Sequence, residues 1–469
     1  MMNNRDAMLF IIAAVGVGSI TLFASIYTQT QIIGTTQQVA STVNDPLQKI
    51  RDMGGLVPRM PSAFASLTEA QVKELESKGH KVVEFNVNGI SVELPIMGHS
   101  ADHPKTYRAM TFNGQVPGPT LRVTQGDIVK MTLCIPGDEA QSHSIDMHAS
   151  QTTALDFGAT KAKDCRIYTY VAKYPGVFKY HCEGINLAAM DQHVLSGMYG
   201  ISIVDPVDGY KKVMIENILV KNGQMIKDRT FYSADALEFQ LSFSQLYIDE
   251  SGNYNQGEMF KHQQTLHTIN GMSLGYVPNE NHNELIMGDA NKNIFVLQPW
   301  NSAKLAQYQS QLMFVPVGEH VRLFVENQAN EPLYFHIVGE ILDRVVQANH
   351  VQATGQDTHL IGGSQGTVID VIFDEPGVYA AVNHDYAAIF QGAAALFVAG
   401  DPFGLNEKLG SSAQSYAELL GNPSDSIPPL GKNSKTHPMV NVHGLYTDDR
   451  AAEIATSIED GSFWKDSFR

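Results

Sequence analysis

Four residues in the first half of the chain have the types and the order of a copper site. Cys182 is followed by His193 and Met198, and His143 precedes it. A thiolate, two imidazoles and a thioether make a soft ligand set, and one Cys, two His and one weakly bound Met are the ligands of blue-copper electron-transfer sites. The order therefore predicts an electron-transfer copper. The alternative is a buried cysteine among ordinary core histidines.

The same two segments carry the residues for a second metal group. Side chains alternate between the two faces of a strand. His181 and Cys182 are neighbours, so they point to opposite faces. His143 and His148 also diverge if their segment is extended, and Asp146 lies an even step from His148. The spacing predicts two groups of ligands, joined by the peptide bond between His181 and Cys182.

Composition limits the classes of protein to which the chain can belong. Its 469 residues are enough for two domains with extensions, and a hydrophobic content of 43% is ample for packed cores. The formal net charge of −17 argues against nucleic-acid binding, which needs a basic face, and suits a cationic redox partner. No Cys-x-x-Cys-His segment occurs, so no covalently attached haem is expected.

The other two cysteines, Cys134 and Cys165, lie at the ends of predicted strands. With only three cysteines in the chain, no disulfide framework can be claimed. A single bridge between Cys134 and Cys165 is one option, and two free thiols are the other.

An uncharged segment near the N-terminus, residues 8–27, is long enough to cross the hydrocarbon core of a bilayer. We expect a membrane anchor over residues 1–30, and a cleaved signal peptide is the alternative. Arg5 precedes the segment and indicates that the rest of the chain lies outside the cytoplasm. Under both interpretations, the rest of the protein is exported from the cytoplasm.

The remainder of the chain is organised as an all-β protein. Residues 31–81 are expected to be a linker with a short helix within 67–79. From residue 82 onward, short β-type runs such as 128–133 and 201–204 alternate with Gly and Pro turns, which is typical of sandwiches and barrels.

A faint internal repeat divides this β-region in two. Residues 111–114 (TFNG) recur as 268–271 (TING), and the Pro-Gly-Val segment at 175 recurs at 376. The repeat predicts two β-sandwich domains, at 82–206 and 207–402. Residues 274–310 are interpreted as an insertion in the second domain, and residues 403–469 as a C-terminal extension that includes a short helix near 451–458.

The chain resembles the copper-containing nitrite reductases, which have two cupredoxin domains of Greek-key β-sandwich type. The segments that carry the resemblance are 110–120, 143–148, 180–182, 193–198, 335–339 and 382–384. They include a His-x-x-Asp-x-His motif that ends at His148. The resemblance covers about residues 105–402. The loop between Cys182 and His193 is longer than the family's, and Gln192 stands where the family commonly has an aromatic residue.

The resemblance implies two coppers per subunit. The implied type 1 ligands are His143, Cys182, His193 and Met198. The implied type 2 ligands are His148, His181 and His384, the last from a neighbouring subunit of a homotrimer.

Other roles also follow from the resemblance. Asp146 and His336 would be the catalytic acid/base pair, and Val338 would pack over the substrate. The reaction would be the one-electron reduction of nitrite to nitric oxide and water. The electron donor would be an external small blue-copper protein or a cytochrome c.

Three other functions compete with this one. A two-domain multicopper oxidase would need further histidines in His-x-His pairs, and none occurs. A membrane-tethered blue-copper electron carrier would leave His148, His181 and His384 without a role. A copper enzyme acting on another small nitrogen compound, such as hydroxylamine, stays open.

Overall fold

The computed structural model of the chain describes its β-rich centre and a few residues near the C-terminus. The described residues are 66–96, 106–150, 158–184, 189–273, 311–348, 350–402, 427, 430–432 and 439–440. The expected anchor (1–30), most of the expected linker, the expected insertion (274–310) and most of the expected extension (403–469) lie outside them. Within the described ranges, no helix is long and apolar enough to span a membrane.

The described residues form mostly β-structure. The strands that precede residue 206 are β1 (Val82–Pro95), β2 (Thr106–Phe112), β3 (Thr120–Thr124), β4 (Ile128–Cys134), β5 (Asp146–Met147), β6 (Cys165–Val171), β7 (Gly176–His181) and β8 (Tyr199–Asp205). The strands that follow are β9 (Val213–Lys221), β10 (Gln224–Tyr232), β11 (Leu237–Leu246), β12 (Leu266–Ile269), β13 (Leu312–Val315), β14 (His320–Asn327), β15 (Leu333–Val338), β16 (Leu342–Gln347), β17 (His350–Gln356), β18 (Thr358–Ile361), β19 (Gly366–Ile372), β20 (Gly377–Asn383), β21 (Ala394–Ala399), β22 (Gly431–Lys432) and β23 (Met439–Val440). The helices are α1 (Glu69–Ser77), α2 (Met190–Leu195), α3 (Gln256–Phe260) and α4 (Tyr386–Phe390).

The strands build two sandwiches that share one plan. The first packs sheet β2-β1-β4-β6 against sheet β23-β3-β8-β7-β5, and the second packs β12-β11-β14-β19-β16-β17 against β13-β21-β20-β15-β18. In both, the first strand runs parallel to the fourth (β1 with β4, β11 with β14). Each sandwich encloses its own apolar core. The hairpin β9–β10 lies between them in sequence.

The internal repeat is confirmed by backbone conformation. Asn113 and Gly114 have φ values of 62° and 77°, and Asn270 and Gly271 have values of 51° and 78°. Positive φ at two successive residues is typical of the tight turn that Asn-Gly favours. Each Asn side chain also accepts a hydrogen bond from a backbone N–H of the first strand of its sandwich. The two sandwiches are therefore structural copies of one unit.

Two features join distant parts of the chain. Cys134 and Cys165 are register partners on β4 and β6 and form a disulfide, so the first of the two options holds. From the C-terminal region, β22 pairs with β11 and β23 pairs with β3, so the tail adds a short strand to each sandwich. The helix expected within 67–79 is present as α1.

A buried charged network connects the sandwiches. Arg122 on β3 donates to Asp205 at 2.9 Å and to Glu238 on β11 at 2.6 Å, and Arg322 donates to Glu238 at 2.9 Å. All four side chains are almost fully buried. Breaking such a network leaves uncompensated charge in the interior, which is strongly destabilising.

Candidate metal centres

The first group of ligands comes from four separate places in the first sandwich. His143 follows β4, Cys182 directly follows β7, His193 lies on α2 and Met198 precedes β8. The Nδ1 atoms of His143 and His193 are 3.2 Å apart, and the Cys182 Sγ atom lies 3.8 Å and 3.3 Å from them respectively. All three side chains are buried. The arrangement brings two imidazole nitrogens and one sulfur to a single point.

Met198 is tied to the same group through the backbone. Its N–H donates to the His193 carbonyl at 3.1 Å, and its carbonyl accepts from the Cys182 N–H at 3.1 Å. Gly89 leaves the space that both side chains use: a Cβ there would meet the His143 ring at 2.9 Å and the Met198 methyl group at 3.0 Å. The expected fourth ligand is therefore beside the first three.

Burial changes the pKa values of these candidate ligands. Burial raises the pKa of the Cys182 thiol to about 11, while backbone N–H groups of Ser144 and Gly184 point at the sulfur and oppose the shift. Burial lowers the pKa of His143 to about 4, so its ring is neutral and keeps a lone pair. A coordinated thiol is deprotonated by the metal itself. The donor set and its burial fit a copper ion.

The second group lies on one face of the β5–β7 ladder. Asp146 is the register partner of His181, and the His148 N–H donates to the Lys179 carbonyl at 3.1 Å, which continues the same register. The Nε2 atoms of His148 and His181 are 3.2 Å apart, and the Asp146 Oδ2 atom is 3.5 Å from each. His181 and Cys182 therefore lie in different ligand groups, and so do His143 and His148, as the alternation of side chains predicted.

The electrostatics of this second group favour neutral imidazoles. Burial lowers the pKa of His181 to about 3 and that of His148 to about 4, and Lys179 adds to both shifts. The His181 Nδ1 atom is 3.2 Å from the Cys182 carbonyl, so that carbonyl holds the ring proton and leaves Nε2 free for a metal. Burial and then Glu183 raise the pKa of Asp146 to about 7.

Two histidines that were expected at the second group lie elsewhere in the same chain. Within the described ranges, the second group contains Asp146, His148 and His181 and no residue of the second sandwich. His336 on β15 and His384 after β20 are instead paired with each other, with ring centroids 5.0 Å apart. By the shared plan of the sandwiches, β15 corresponds to β5 and β20 to β7.

The His336–His384 pair is surrounded by apolar side chains that face outward. Tyr334, Val338 and Leu360 are 43%, 46% and 56% exposed, and Tyr386 stacks edge-on against His384. The His336 Nδ1 atom is 2.8 Å from the Asp357 carbonyl, which directs its Nε2 atom away from the backbone.

Known proteins match the chain over both sandwiches. The copper-containing nitrite reductase of Rhizobium sullae is 30% identical over 341 residues, which are 69% of this chain and 77% of that protein. The enzyme of Alcaligenes faecalis is 29% identical over 337 residues, which are 68% and 76% of the two chains. No protein-family model matches. The chain belongs to the copper-containing nitrite reductase family.

Solved structures agree with this assignment. A copper nitrite reductase from Nitrosomonas europaea has a TM-score of 0.51 and 27% identity, and the match covers 68% of this chain and 95% of that one. A multicopper oxidase shares the fold, with a TM-score of 0.50 at 16% identity. The cofactor of this nitrite reductase family member is copper.

Sequence reasoning missed two charged residues beside the reductase's second group. Lys179 precedes His181 by two positions on β7 and shares its face, and Glu183 contributes to the raised pKa of Asp146. The parity rule that separated His181 from Cys182 also places Lys179 with His181. The position of Lys179 could therefore be predicted from the sequence, although a lysine is not a copper ligand and no ligand motif includes it.

Proposed function

We propose that this reductase converts nitrite to nitric oxide, with one electron and two protons consumed and one water released. The observation that carries the proposal is the pair of ligand groups on two adjacent residues, the last residue of β7 and the residue that follows it. Cys182 belongs to a buried thiolate group that suits electron transfer, and His181 belongs to a more open imidazole group. One peptide bond therefore links electron entry to the reaction site.

The ligands follow from these two groups. His143, Cys182, His193 and Met198 would hold the type 1 copper, and His148 and His181 would hold the type 2 copper. A type 2 copper, when bound, supplies a Lewis-acidic position for nitrite and the electron that reduces it. The third imidazole is assigned to His384 of a neighbouring subunit, since His384 lies apart from His148 and His181 in its own chain.

A homotrimer would complete each type 2 site at a subunit boundary. The support is the exposed apolar surface formed by Tyr334, Val338, Leu360 and Tyr386 around the His336–His384 pair. Exposed apolar surface of this kind is typical of protein contacts. Docked against the β5–β7 face of another subunit, the surface would bring two further imidazoles to Asp146.

Asp146 and His336 are assigned as the groups that deliver the two protons. Asp146 lies 3.5 Å from both ligand imidazoles but is not needed to complete a three-histidine site. His336 accompanies His384, and its ring is oriented by the Asp357 carbonyl. Val338, on the same strand and exposed in the single chain, would pack over the bound nitrite.

The remaining assignments concern the setting of the enzyme. We assign 82–206 and 207–402 as its two domains, with 31–81 as linker and 403–469 as extension. A membrane anchor at 1–30 would place the domains outside the cytoplasm. The electron donor is assigned to the small blue-copper proteins or cytochromes c, and the net charge of −17 suits a cationic one.

The direct test is an anaerobic assay of copper-loaded protein with an artificial electron donor. The expected result is loss of nitrite with equimolar formation of nitric oxide, in protein that holds two coppers per chain. Hydroxylamine in place of nitrite serves as the comparison substrate. Protein with both coppers bound that leaves nitrite unchanged would refute the proposal.

A further inference from the structure

Lys179 occupies the fourth position on the face that carries the second ligand group. Asp146 lies opposite His181, and His148 lies opposite Lys179 through its backbone hydrogen bond. Directly opposite side chains of an antiparallel pair project from the same face, and diagonal neighbours are still within reach of long side chains. A carboxylate, two imidazoles and an ammonium group therefore project from one small patch of the first sandwich.

The ammonium group is buried and held by the second sandwich. Lys179 is only 4% exposed. Its Nζ atom donates to the Gln328 carbonyl at 3.1 Å and to the Ser364 hydroxyl at 3.3 Å. Both partners belong to the second sandwich, since Gln328 directly follows β14 and Ser364 lies just before β19. These contacts hold the ammonium group against the second sandwich, from where it acts electrostatically on both imidazoles.

Lys179 interacts electrostatically with three carboxyl groups in the interior of the protein. Burial lowers the pKa of the ammonium group, and the carboxyl groups of Glu326, Asp146 and Glu183 oppose that shift. Glu326 is fully buried on β14, and neither of its carboxyl oxygens has a hydrogen-bond partner. Burial raises the pKa of Glu326 to about 8 and Lys179 opposes that shift, so the two side chains favour each other's charged forms.

We propose that Lys179 is a positioning residue that provides a fixed positive charge beneath the type 2 site, which strengthens the binding of anionic nitrite and raises the reduction potential of the site. The inference depends on the proposed assignment of His148 and His181 as type 2 ligands. Binding nitrite and accepting an electron each add one negative charge to the same place. A fixed cation therefore favours both events by a similar factor.

The size of the effect follows from Coulomb's law. At an effective dielectric constant of about 20 and a separation on the order of 10 Å, one charge changes an anion-binding constant by roughly tenfold. For a one-electron couple, the same factor corresponds to about 59 mV in reduction potential. The carboxyl groups nearby also contribute to the total field, and substitutions at Lys179 measure the contribution of the ammonium group alone.

The test compares variants that differ in charge at this position. Lys179→Gln removes the charge and keeps a donor for the Gln328 carbonyl, Lys179→Met removes both, and Lys179→Arg keeps the charge. Lys130→Met is the control, since Lys130 is exposed and pairs with Glu84 at the surface. The measurements are the dissociation constant of azide, the Michaelis constant for nitrite and the type 2 potential by redox titration of its EPR signal.

The neutral variants should keep both coppers, bind azide and nitrite about tenfold more weakly and have a lower type 2 potential. Lys179→Arg and Lys130→Met should stay near the wild type. If Lys179→Gln does not fold, as judged by its type 1 absorption band, Lys179→Met decides the matter. Neutral variants with wild-type azide binding and potential would overturn the inference. Retention of the type 2 signal in His148→Ala would instead show that the site assignment itself is wrong.

Discussion

The two ligand groups of this reductase differ in how much of each one chain can supply. The first group has all four expected side chains together, and His143, Cys182 and His193 are at most 1% exposed. The second has two imidazoles and a carboxyl group, and its His148 side chain is 31% exposed. The end of β7 carries a residue of the second group, His181, and the next residue, Cys182, belongs to the first. Under the proposed function, the fold of a single subunit would supply the site of electron entry, whereas the reaction site would need a second subunit.

The largest effect is expected from removal of the one thiolate. Cys182→Ala should lose the intense visible absorption and one copper per chain, and nitrite reduction should fall to background because electrons can no longer enter. The second copper should stay, since His148 and His181 are unchanged. Metal analysis and an optical spectrum are the measurements. A variant that kept its visible band would show that Cys182 is not the type 1 ligand.

A second experiment asks whether the reaction site is shared between chains. His384→Ala and His148→Ala should each lose the type 2 copper and activity but keep the type 1 band. Co-expressed chains should regain part of the activity, because a mixed trimer can combine an intact His148 side with an intact His384 side. Activity per copper in purified mixed trimers is the readout. A fully active wild-type monomer would contradict this division.

Proton delivery can be separated from metal binding in the second group. Asp146→Asn and His336→Ala should keep both coppers, and turnover should fall by about 10²–10⁴, the usual contribution of a positioned acid or base. The wild-type rate should decline towards high pH because the reaction consumes two protons. Loss of copper along with activity would mean that these residues only orient ligands.

The disulfide offers a change that should affect neither group. Replacing Cys134 and Cys165 by serine should lower the free energy of unfolding by about 3–4 kcal/mol, as expected for a loop of this length. Both copper signals and the rate should be unchanged at low temperature, because the bond joins β4 and β6 and not the ligand segments. Chemical denaturation of the oxidised wild type and the double variant gives the comparison.

The smallest effect on either group is expected from deletion of residues 1–30. The truncated protein should be soluble and bind both coppers, because no proposed ligand precedes His143. Recovery from native membranes of a mature chain that begins near residue 26 would instead indicate a cleaved signal peptide.

Several features of the fold could be predicted because they depend on local rules. Period-two alternation separated His181 from Cys182, and Asn-Gly turns marked equivalent positions in the two copies of the repeat. The short helix within 67–79 could also be predicted from local sequence. The hairpin β9–β10 was not anticipated, since its strands are exposed on most of their length and show no clean alternation.

The sequence by itself determined the candidate ligand types, their order along the chain, the repeat and the resemblance to the family. The tertiary structure decided which distant segments meet. It paired Cys134 with Cys165, placed two C-terminal strands on different sheets and buried Lys179 against the second sandwich. It also put His384 beside His336, apart from His148. The physical reason is that alternation is a property of neighbouring residues, whereas register and sandwich packing depend on cores built from residues far apart in the chain.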